Sequence, residues 1–248
     1  MFIVAVPARL KSTRVHSKMM IKMNRKPMII HTLDNINKVV SKEDIYVFCD
    51  TELIRDTVEK YGYKGFLVPE ECENGTERIS KGLKNYGIKC EYVMIVHGDQ
   101  PCLNADNITK LIDFWDRSEL DEDTMYTLHT TCDSSVEDTS IAKIAMTTGG
   151  KWLYISRKNI PSDFGLRPGE QRKLFKHASL CMFHFDLLQK YSQMKDTPLQ
   201  LREENEWLKL LENGYTIKST EVEYHERDLN TQEDLRHIER LLQEKNIK

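Results

Sequence analysis

Phe2-Ile3-Val4-Ala5-Val6 is a short, fully apolar run, and it breaks at once into Pro7-Ala8-Arg9-Leu10-Lys11-Ser12-Thr13-Arg14, with Lys18 just beyond. An apolar run of this length stopped by a turn signal is the pattern of a strand buried on both faces. Such a strand delivers Arg9, Arg14, Lys18 and two hydroxyls into one loop. Arginine forks match phosphate oxygens bidentately, and lysine adds a mobile point charge. Phosphorylated ligands of open α/β sheets bind just past the carboxyl ends of the strands. On charge alone a solvated basic loop is the commoner case. Three cations directly after an apolar strand favour a polyphosphate site.

Working outward, strand and helix alternate through the first half. Phe2–Pro7 reads as a strand, and Pro27 to Val40 has helical spacing with Pro27 suited to a first turn. Ile45–Cys49 is a second strand ending at Asp50, and Thr51–Tyr61 a helix stopped by Gly62. Gly65–Val68 is a third strand. Thr76 and Glu77 open a helix that ends near Gly87, with Thr76 as a possible cap. Tyr92–Val96 is a fourth strand, running into Gly98-Asp99-Gln100-Pro101, and Asn104–Trp115 is another helix. Strands separated by helices of this length predict a Rossmann-like, mostly parallel α/β sheet flanked by helices.

The second half changes character. Met125–Thr131, Ile141–Met146 and Trp152–Ser156 read as strands, the last two joined by a hairpin at Thr147-Thr148-Gly149-Gly150. Pro161–Lys173 reads as a mobile loop, Leu180–Phe185 as a strand and Pro198–Asn213 as one helix stopped by Gly214. Thr216–Val222 is a last strand and Glu233–Glu244 a charged terminal helix. The expectation is one domain over residues 1–248, with a β-rich insertion near residues 120–190.

The chain has 248 residues, a net charge of -3 and acids and bases mixed along its length, so bulk attraction to nucleic acid is not expected. Six scattered cysteines with no C-x-x-C pair argue against a zinc site or a disulfide framework and for a reducing, cytoplasmic setting. No apolar stretch approaches a membrane span, and the first strand leaves no room for a signal peptide. Cys49 and Cys181 read as small core hydrophobes, and His129 and His184 as structural. Arg202, Glu203 and Glu204 read as a solvated face.

Two further stretches complete a site. Asn74-Gly75-Thr76-Glu77-Arg78 starts a helix, where exposed N–H groups favour an anion; Arg78 is expected over the same mouth as Arg9 and Arg14. Asp99 follows a strand, a common placing for a carboxylate over nucleotide phosphates, and Mg²⁺ takes only one or two protein carboxylates beside water and phosphate oxygen. An N-cap and a strand-end turn are the plainer readings of the two. The P-loop and dinucleotide fingerprints are absent, as is a nucleophile elbow. A basic strand–loop, a Gly-Thr helix start and a metal-competent Asp describe a site that binds and polarises a nucleoside triphosphate.

These residues resemble a known family, the CMP-Kdo synthetases, or 3-deoxy-manno-octulosonate cytidylyltransferases. The matching stretches are Pro7-Ala8-Arg9-x-x-Ser12-Thr13-Arg14-x-x-x-Lys18, Lys26-Pro27-Met28-Ile29-x-His31, Gly75-Thr76-Glu77-Arg78, Gly98-Asp99-x-Pro101, Tyr154-x-Ser156-Arg157-x-x-Ile160-Pro161, Pro198-Leu199 and Thr231-x-Glu233-Asp234-Leu235. The resemblance implies that CTP and a 2-keto-3-deoxy sugar acid give a CMP-sugar and pyrophosphate. It implies that Pro7, Ala8, Arg9, Ser12, Thr13, Arg14, Lys18, Gly75, Thr76 and Arg78 hold the nucleotide. Arg9, Lys18 and Asp99 are the implied catalytic set, and Asp99 and Asn230 the implied ligands of Mg²⁺. His97, Arg157, His177, Glu206 and Trp207 are implied on the sugar side. A homodimer formed through the C-terminal half is implied as well.

The departures gather on the acceptor side. His97 stands where the family has Gln and Gln100 where it has Glu. Cys181 stands where a Tyr is usual, Trp207 where a Gln is usual, and Asn230 where the family has a second metal-binding Asp. The acceptor is therefore expected to be Kdo or a modified Kdo-like acid. A different small acid such as a phosphonate, or a catalytically weakened nucleotide-binding relative, are the alternatives.

Overall fold

The computed structural model describes residues 1–10, 17–118, 120–132, 138–162, 164–167, 170, 173–223 and 232–245. The chain divides into two compact units, residues 1–109 with 225–248 and residues 110–224.

The first unit opens with β1 (Phe2–Ala8), whose Val4, Ala5 and Val6 are fully buried. A two-strand hairpin, β2 (Lys22–Met23) and β3 (Lys26–Pro27), precedes α1 (Met28–Ile36). Its turn uses Asn24 and Arg25, both at positive φ (48° and 65°). Then come β4 (Ile45–Cys49), α2 (Glu52–Lys60), β5 (Lys64–Leu67), α3 (Gly75–Asn85) and β6 (Tyr92–Val96); α4 (Ala105–Asp116) follows, and the boundary between the units falls within it. The four longer strands are parallel in the order β6-β1-β4-β5. β6 is buried along its whole length, as expected for an inner strand of an α/β sheet. α3 starts one residue earlier than Thr76, and its cap is Asn74, whose side chain accepts the Glu77 N–H at 2.8 Å. Thr76 is fully buried instead of capping. Pro27 closes β3 just before α1 rather than lying inside the helix.

The second unit holds β7 (Thr124–Cys132), β8 (Lys143–Met146), β9 (Trp152–Ser156), β10 (Leu174–His184), α5 (Phe185–Gln193), α6 (Pro198–Glu203), α7 (Trp207–Glu212) and β11 (Thr216–Glu221). Here the sheet is mixed. β11 runs parallel to β7, while β7–β10, β10–β8 and β8–β9 are antiparallel. The predicted hairpin joins β8 and β9. Gly150 sits at φ 78°, and a Cβ there would lie 2.2 Å from the Ser219 carbonyl, so only glycine fits. The class is the expected one: α/β, mostly parallel in the first unit, richer in antiparallel strands in the second.

Two expectations for this unit change. β10 begins at Leu174 rather than Leu180, and it is irregular between His177 and Cys181, with Ser179 at φ 53°. The single helix expected over Pro198–Asn213 is two helices, because Glu204 adopts φ 46° and ends α6. The last helix, α8 (Gln232–Lys245), belongs to the first unit, where the Asn24 side chain donates to the Leu242 carbonyl at 3.3 Å.

No helix among the described residues is long and apolar enough to cross a membrane. All six cysteines are free thiols; Cys49 and Cys181 are buried as expected. Burial pushes the Cys49 thiol up to about 11. Cys181 is raised as well, by burial first and the Glu206 carboxylate second.

Candidate active site

Three strand-end loops of the first unit come together at the carboxyl ends of β1 and β6. Pro7 ends the buried part of β1, and a Cβ built on Gly75, the first residue of α3, would lie 2.8 Å from the Pro7 ring and 4.0 Å from His97 Nδ1. Glycine at position 75 is what lets the helix start approach the strand end so closely. A Cβ on Gly98 would meet the Met19 sulfur at 3.2 Å and the Pro7 carbonyl at 3.3 Å. The start of α3, the β6 turn and the segment after the basic loop therefore share one small region around Pro7.

That region carries charge of both signs. The Lys18 ammonium is paired with Asp99 Oδ2, the two side chains only 12% and 15% exposed. The Asp99 turn is held from α1: Thr32 donates to the Gly98 carbonyl at 3.0 Å and Asn35 to the Pro101 carbonyl at 2.9 Å. Lys18 follows Ser17, which sits at φ 49°. Arg9 is exposed at the exit of β1. The next residue is pinned, because the Leu10 N–H donates to both oxygens of Asp50, at 2.9 and 3.1 Å. Ala8 pairs with Cys49, so the end of β4 puts the Asp50 carboxylate beside the departing loop.

The residues of the second unit that were expected on the acceptor side are bound up in internal contacts. Arg157 donates through Nε to the Glu203 carbonyl at 2.9 Å, and through Nη1 to the carbonyls of Thr139 and Ser140 at 3.1 and 3.3 Å. Its Nη2 donates to the Glu204 carbonyl at 3.1 Å. The Glu203 carboxylate answers from the other side. It accepts from the Arg157 N–H and the Ser156 hydroxyl at 2.8 Å each and from the Tyr154 hydroxyl at 3.2 Å. Burial alone would raise the Glu203 carboxyl, but these donors outweigh it and hold it below its usual value. Lys143, 1% exposed, donates to the Arg157 and Asp138 carbonyls and closes the same loop.

Beside this clasp lies an aromatic cluster. Trp207 is 4% exposed, with Phe183 and Tyr191 rings 5.9 and 6.3 Å from it and His177 nearly perpendicular at 5.8 Å. Trp152 stands perpendicular to His177 at 5.5 Å. Glu206, at the N-cap of α7, accepts from the Tyr191 hydroxyl at 3.0 Å.

Residues 3–245 match the family described as Cytidylyltransferase. The chain belongs to that family. Among its relatives, the 3-deoxy-manno-octulosonate cytidylyltransferase of Chloroherpeton thalassium is 28% identical over 98% of both chains. That of Francisella tularensis subsp. novicida is 30% identical over 96% of this chain and 97% of its own. In fold, the chain is similar to CMP:2-keto-3-deoxy-manno-octonic acid synthetase complexed with CTP, with a TM-score of 0.89 at 24% identity over 98% and 99% of the two chains. A more distant likeness, with a TM-score of 0.64 at 14% identity, is to 4-diphosphocytidyl-2C-methyl-D-erythritol synthase over 97% of this chain and 98% of the other. The family resemblance read from the motifs thus stands.

Within this cytidylyltransferase the predicted residues divide. Pro7, Gly75 and His97 are neighbours, and Lys18 meets Asp99. Ser12, Thr13, Arg14 and Asn230 lie outside the described residues. Arg78 is 7% exposed and donates to the Val68 carbonyl, so it braces the exit of β5 rather than standing open over the loop. Two carboxylates that hold these loops escaped the sequence reading. Asp50 was only a strand terminus, and Glu203 sat in a run read as solvated; Glu203 is instead the centre of the Arg157 clasp. A signal for Glu203 did exist in the hydroxyl-rich Tyr154-x-Ser156-Arg157, a donor set that needs a carboxylate.

Glu122, His184 and Asp186 also cluster at the start of α5, with Glu122 and Asp186 exposed. The His184 side chain caps that helix through the Asp186 N–H at 3.3 Å, the structural role expected of it. His129 is likewise structural: buried, lowered in basicity by that burial, and bonded through Nδ1 to the Ser219 hydroxyl at 2.8 Å.

Proposed function

We propose that this cytidylyltransferase joins CTP to a 2-keto-3-deoxy sugar acid of the Kdo class, releasing pyrophosphate. The observation that carries the reading is the meeting of Lys18 with Asp99 beside Pro7 and Gly75, at the carboxyl ends of two parallel strands. In the reaction the acid's anomeric oxygen attacks the α-phosphorus of CTP. Its bond to that phosphorus forms as the bond to pyrophosphate breaks, and the hydroxyl proton leaves. Such a displacement asks the protein mainly for positioning and charge stabilisation.

Arg9 and Lys18 bind the triphosphate oxygens, with Ser12, Thr13 and Arg14 completing the nucleotide side, while Arg78, bonded to the Val68 carbonyl, shapes the pocket from behind. Asp50 holds the basic loop at its root. Asp99 is the residue that would hold Mg²⁺: its carboxylate is already met by a cation, Lys18, and one or two carboxylates suffice beside phosphate oxygens. Bound there with Asn230, the ion would neutralise phosphate charge. His97, Arg157, His177, Glu206 and Trp207 form the acceptor side, Arg157 through the loop it builds. Trp207 and His97 suit a modified Kdo-like acid or another small acid such as a phosphonate. The chain works as one domain, its residues 120–190 supplying the acceptor side and a homodimer contact, in the reducing cytoplasm to which six free thiols are suited.

The test is product analysis with each of the four NTPs, Mg²⁺ and a panel of 2-keto-3-deoxy acids and phosphonates. CTP-dependent pyrophosphate release together with a CMP-sugar mass is expected. Release with UTP but not CTP, or with no sugar acid at all, rejects the reading. Efficient turnover of unmodified Kdo alone rejects only the modified acceptor.

A further inference from the structure

We propose that Thr32 and Asn35 of α1 are positioning residues: by holding the two carbonyls on either side of Asp99 they fix where its carboxylate stands, and with it how well the site takes a divalent ion. The part played by Asp99 rests on the function proposed above; the grip on its turn does not.

The grip is double. The Thr32 hydroxyl, fully buried, donates to the Gly98 carbonyl at 3.0 Å. The Asn35 amide donates to the Pro101 carbonyl at 2.9 Å. Residues three apart on a helix share a face, so one face of α1 meets the turn at both of its ends. Asp99 lies between the two held carbonyls, and its backbone cannot move away from α1 without losing one of them. Gly98 is hemmed in as well, because a Cβ there would meet the Met19 sulfur and the Pro7 carbonyl.

Neither residue suits the inside of a helix. Threonine and asparagine rank well below alanine and leucine in helix propensity. A threonine in a helix can turn its hydroxyl back to the carbonyl one turn earlier; Thr32 gives it to Gly98 instead. Local preference overruled at two positions on one helix face, both bonded to the same site turn, marks a place where function sets the residue.

The same helix carries the other half of the ion pair. The Met28 N–H, at the start of α1, donates to the Ile21 carbonyl at 2.8 Å, and the Ile21 N–H donates to the Lys18 carbonyl at 3.2 Å. α1 therefore mounts both Lys18 and Asp99, whose side chains meet. Removing a partner that orients a metal-binding side chain typically costs about ten- to a hundredfold in metal affinity or activity.

The experiment is isothermal calorimetry of CTP binding to the full-length protein, once in EDTA and once in saturating Mg²⁺. Wild type is compared with Thr32→Val, Thr32→Ser, Asn35→Ala and Asp99→Asn. Wild type is expected to bind CTP more tightly with Mg²⁺ than without it. Thr32→Val and Asn35→Ala should each keep the wild-type affinity in EDTA and lose about tenfold of the gain that Mg²⁺ brings. Thr32→Ser, which keeps the hydroxyl, should match wild type. A role confined to folding would instead lower the fraction of protein that binds and leave both affinities alone. A full Mg²⁺ gain in Thr32→Val and Asn35→Ala, with that gain lost in Asp99→Asn, overturns the proposal and leaves the function standing. So does an equal loss in EDTA and in Mg²⁺. An undiminished gain in Asp99→Asn, or none in wild type, overturns the role given to Asp99 and the proposal with it. If Thr32→Val does not fold, half-buried Asn35 decides the matter through Asn35→Ala.

Discussion

Arg9 and Arg157 each sit at the carboxyl end of a strand in this enzyme, and they are used in opposite ways. Arg9 leaves β1 exposed, its neighbour Leu10 tied to Asp50. Arg157 leaves β9 with its guanidinium committed to four backbone carbonyls, those of Thr139, Ser140, Glu203 and Glu204. An arginine meant for a phosphate has to keep its fork available. An arginine whose guanidinium joins carbonyls of two separate segments is part of the loop's construction, because it ties residues 139–140 to residues 203–204. The first unit thus separates scaffold from site, with the sheet folding by apolar burial and the charges standing beyond its strand ends. In the second unit the side chains proposed for the acceptor side are themselves part of the scaffold.

The largest effect that could break this contrast is at Asp99. Asp99→Asn is expected to lower kcat about a hundredfold or more, since it removes the charge that faces Lys18 and would hold the ion. The pair is mostly buried, so leaving Lys18 without its counter-charge should also cost some stability, about 1–2 kcal/mol, less than the loss of activity. Urea denaturation beside steady-state kinetics reads both. A variant that loses stability in step with activity would show that the first unit is not so separated.

Glu203 is the counterpart. Glu203→Ala strands two hydroxyls and the Arg157 N–H, and is expected to destabilise the protein by about 2 kcal/mol. Its pH dependence has a definite sign. The carboxyl is held low in the folded protein, so its contribution is present above the ordinary glutamate value of about 4.3 and is lost as acid protonates the folded form. Urea midpoints measured from neutral pH into acid should fall more steeply for wild type than for Glu203→Gln. Parallel curves would remove Glu203 as the hub. Arg157→Lys keeps the charge and loses the fork; a smaller loss of about 1 kcal/mol is expected, with the acid's KM rising in step. A raised KM at unchanged stability would mean that Arg157 touches the acid directly.

What the sequence made legible follows the same division. β1, β4 and β6 are apolar runs followed closely by Pro, Asp or Gly, and Gly75-Thr76 and Gly98-Asp99 sit at the loops proposed for the site, so pattern and proposed site coincide. In the second unit the misses share one cause. Ser179 and Glu204 take positive φ without being glycine, and nothing in composition announces such a residue. Ser179 broke the alternation of β10, so its first half, with polar Lys176 and His177, was not read as strand. Glu204 cut a helix whose residues all favour helix. Glu203 looked solvated because its partners lie 46 to 49 positions away in sequence. A local charge run carries no information about such contacts.

The smallest predicted effect tests the contrast from inside the first unit. Asp50 behaves as Glu203 does: a carboxylate that accepts a backbone N–H and holds a loop, here with both oxygens on Leu10. It differs in what hangs on it. Glu203 supports residues that are themselves packed, whereas Asp50 supports a stretch whose neighbour Arg9 is open to solvent. Asp50→Asn keeps one accepting oxygen and loses the charge that strengthens the bond. The fold should therefore stay within about 0.5 kcal/mol of wild type, while the KM for CTP rises about fivefold and that for the acid does not move. Isothermal calorimetry with CTP separates this from a change in turnover. If CTP affinity holds and only stability falls, Asp50 belongs with Glu203, and the first unit too builds its site out of its scaffold.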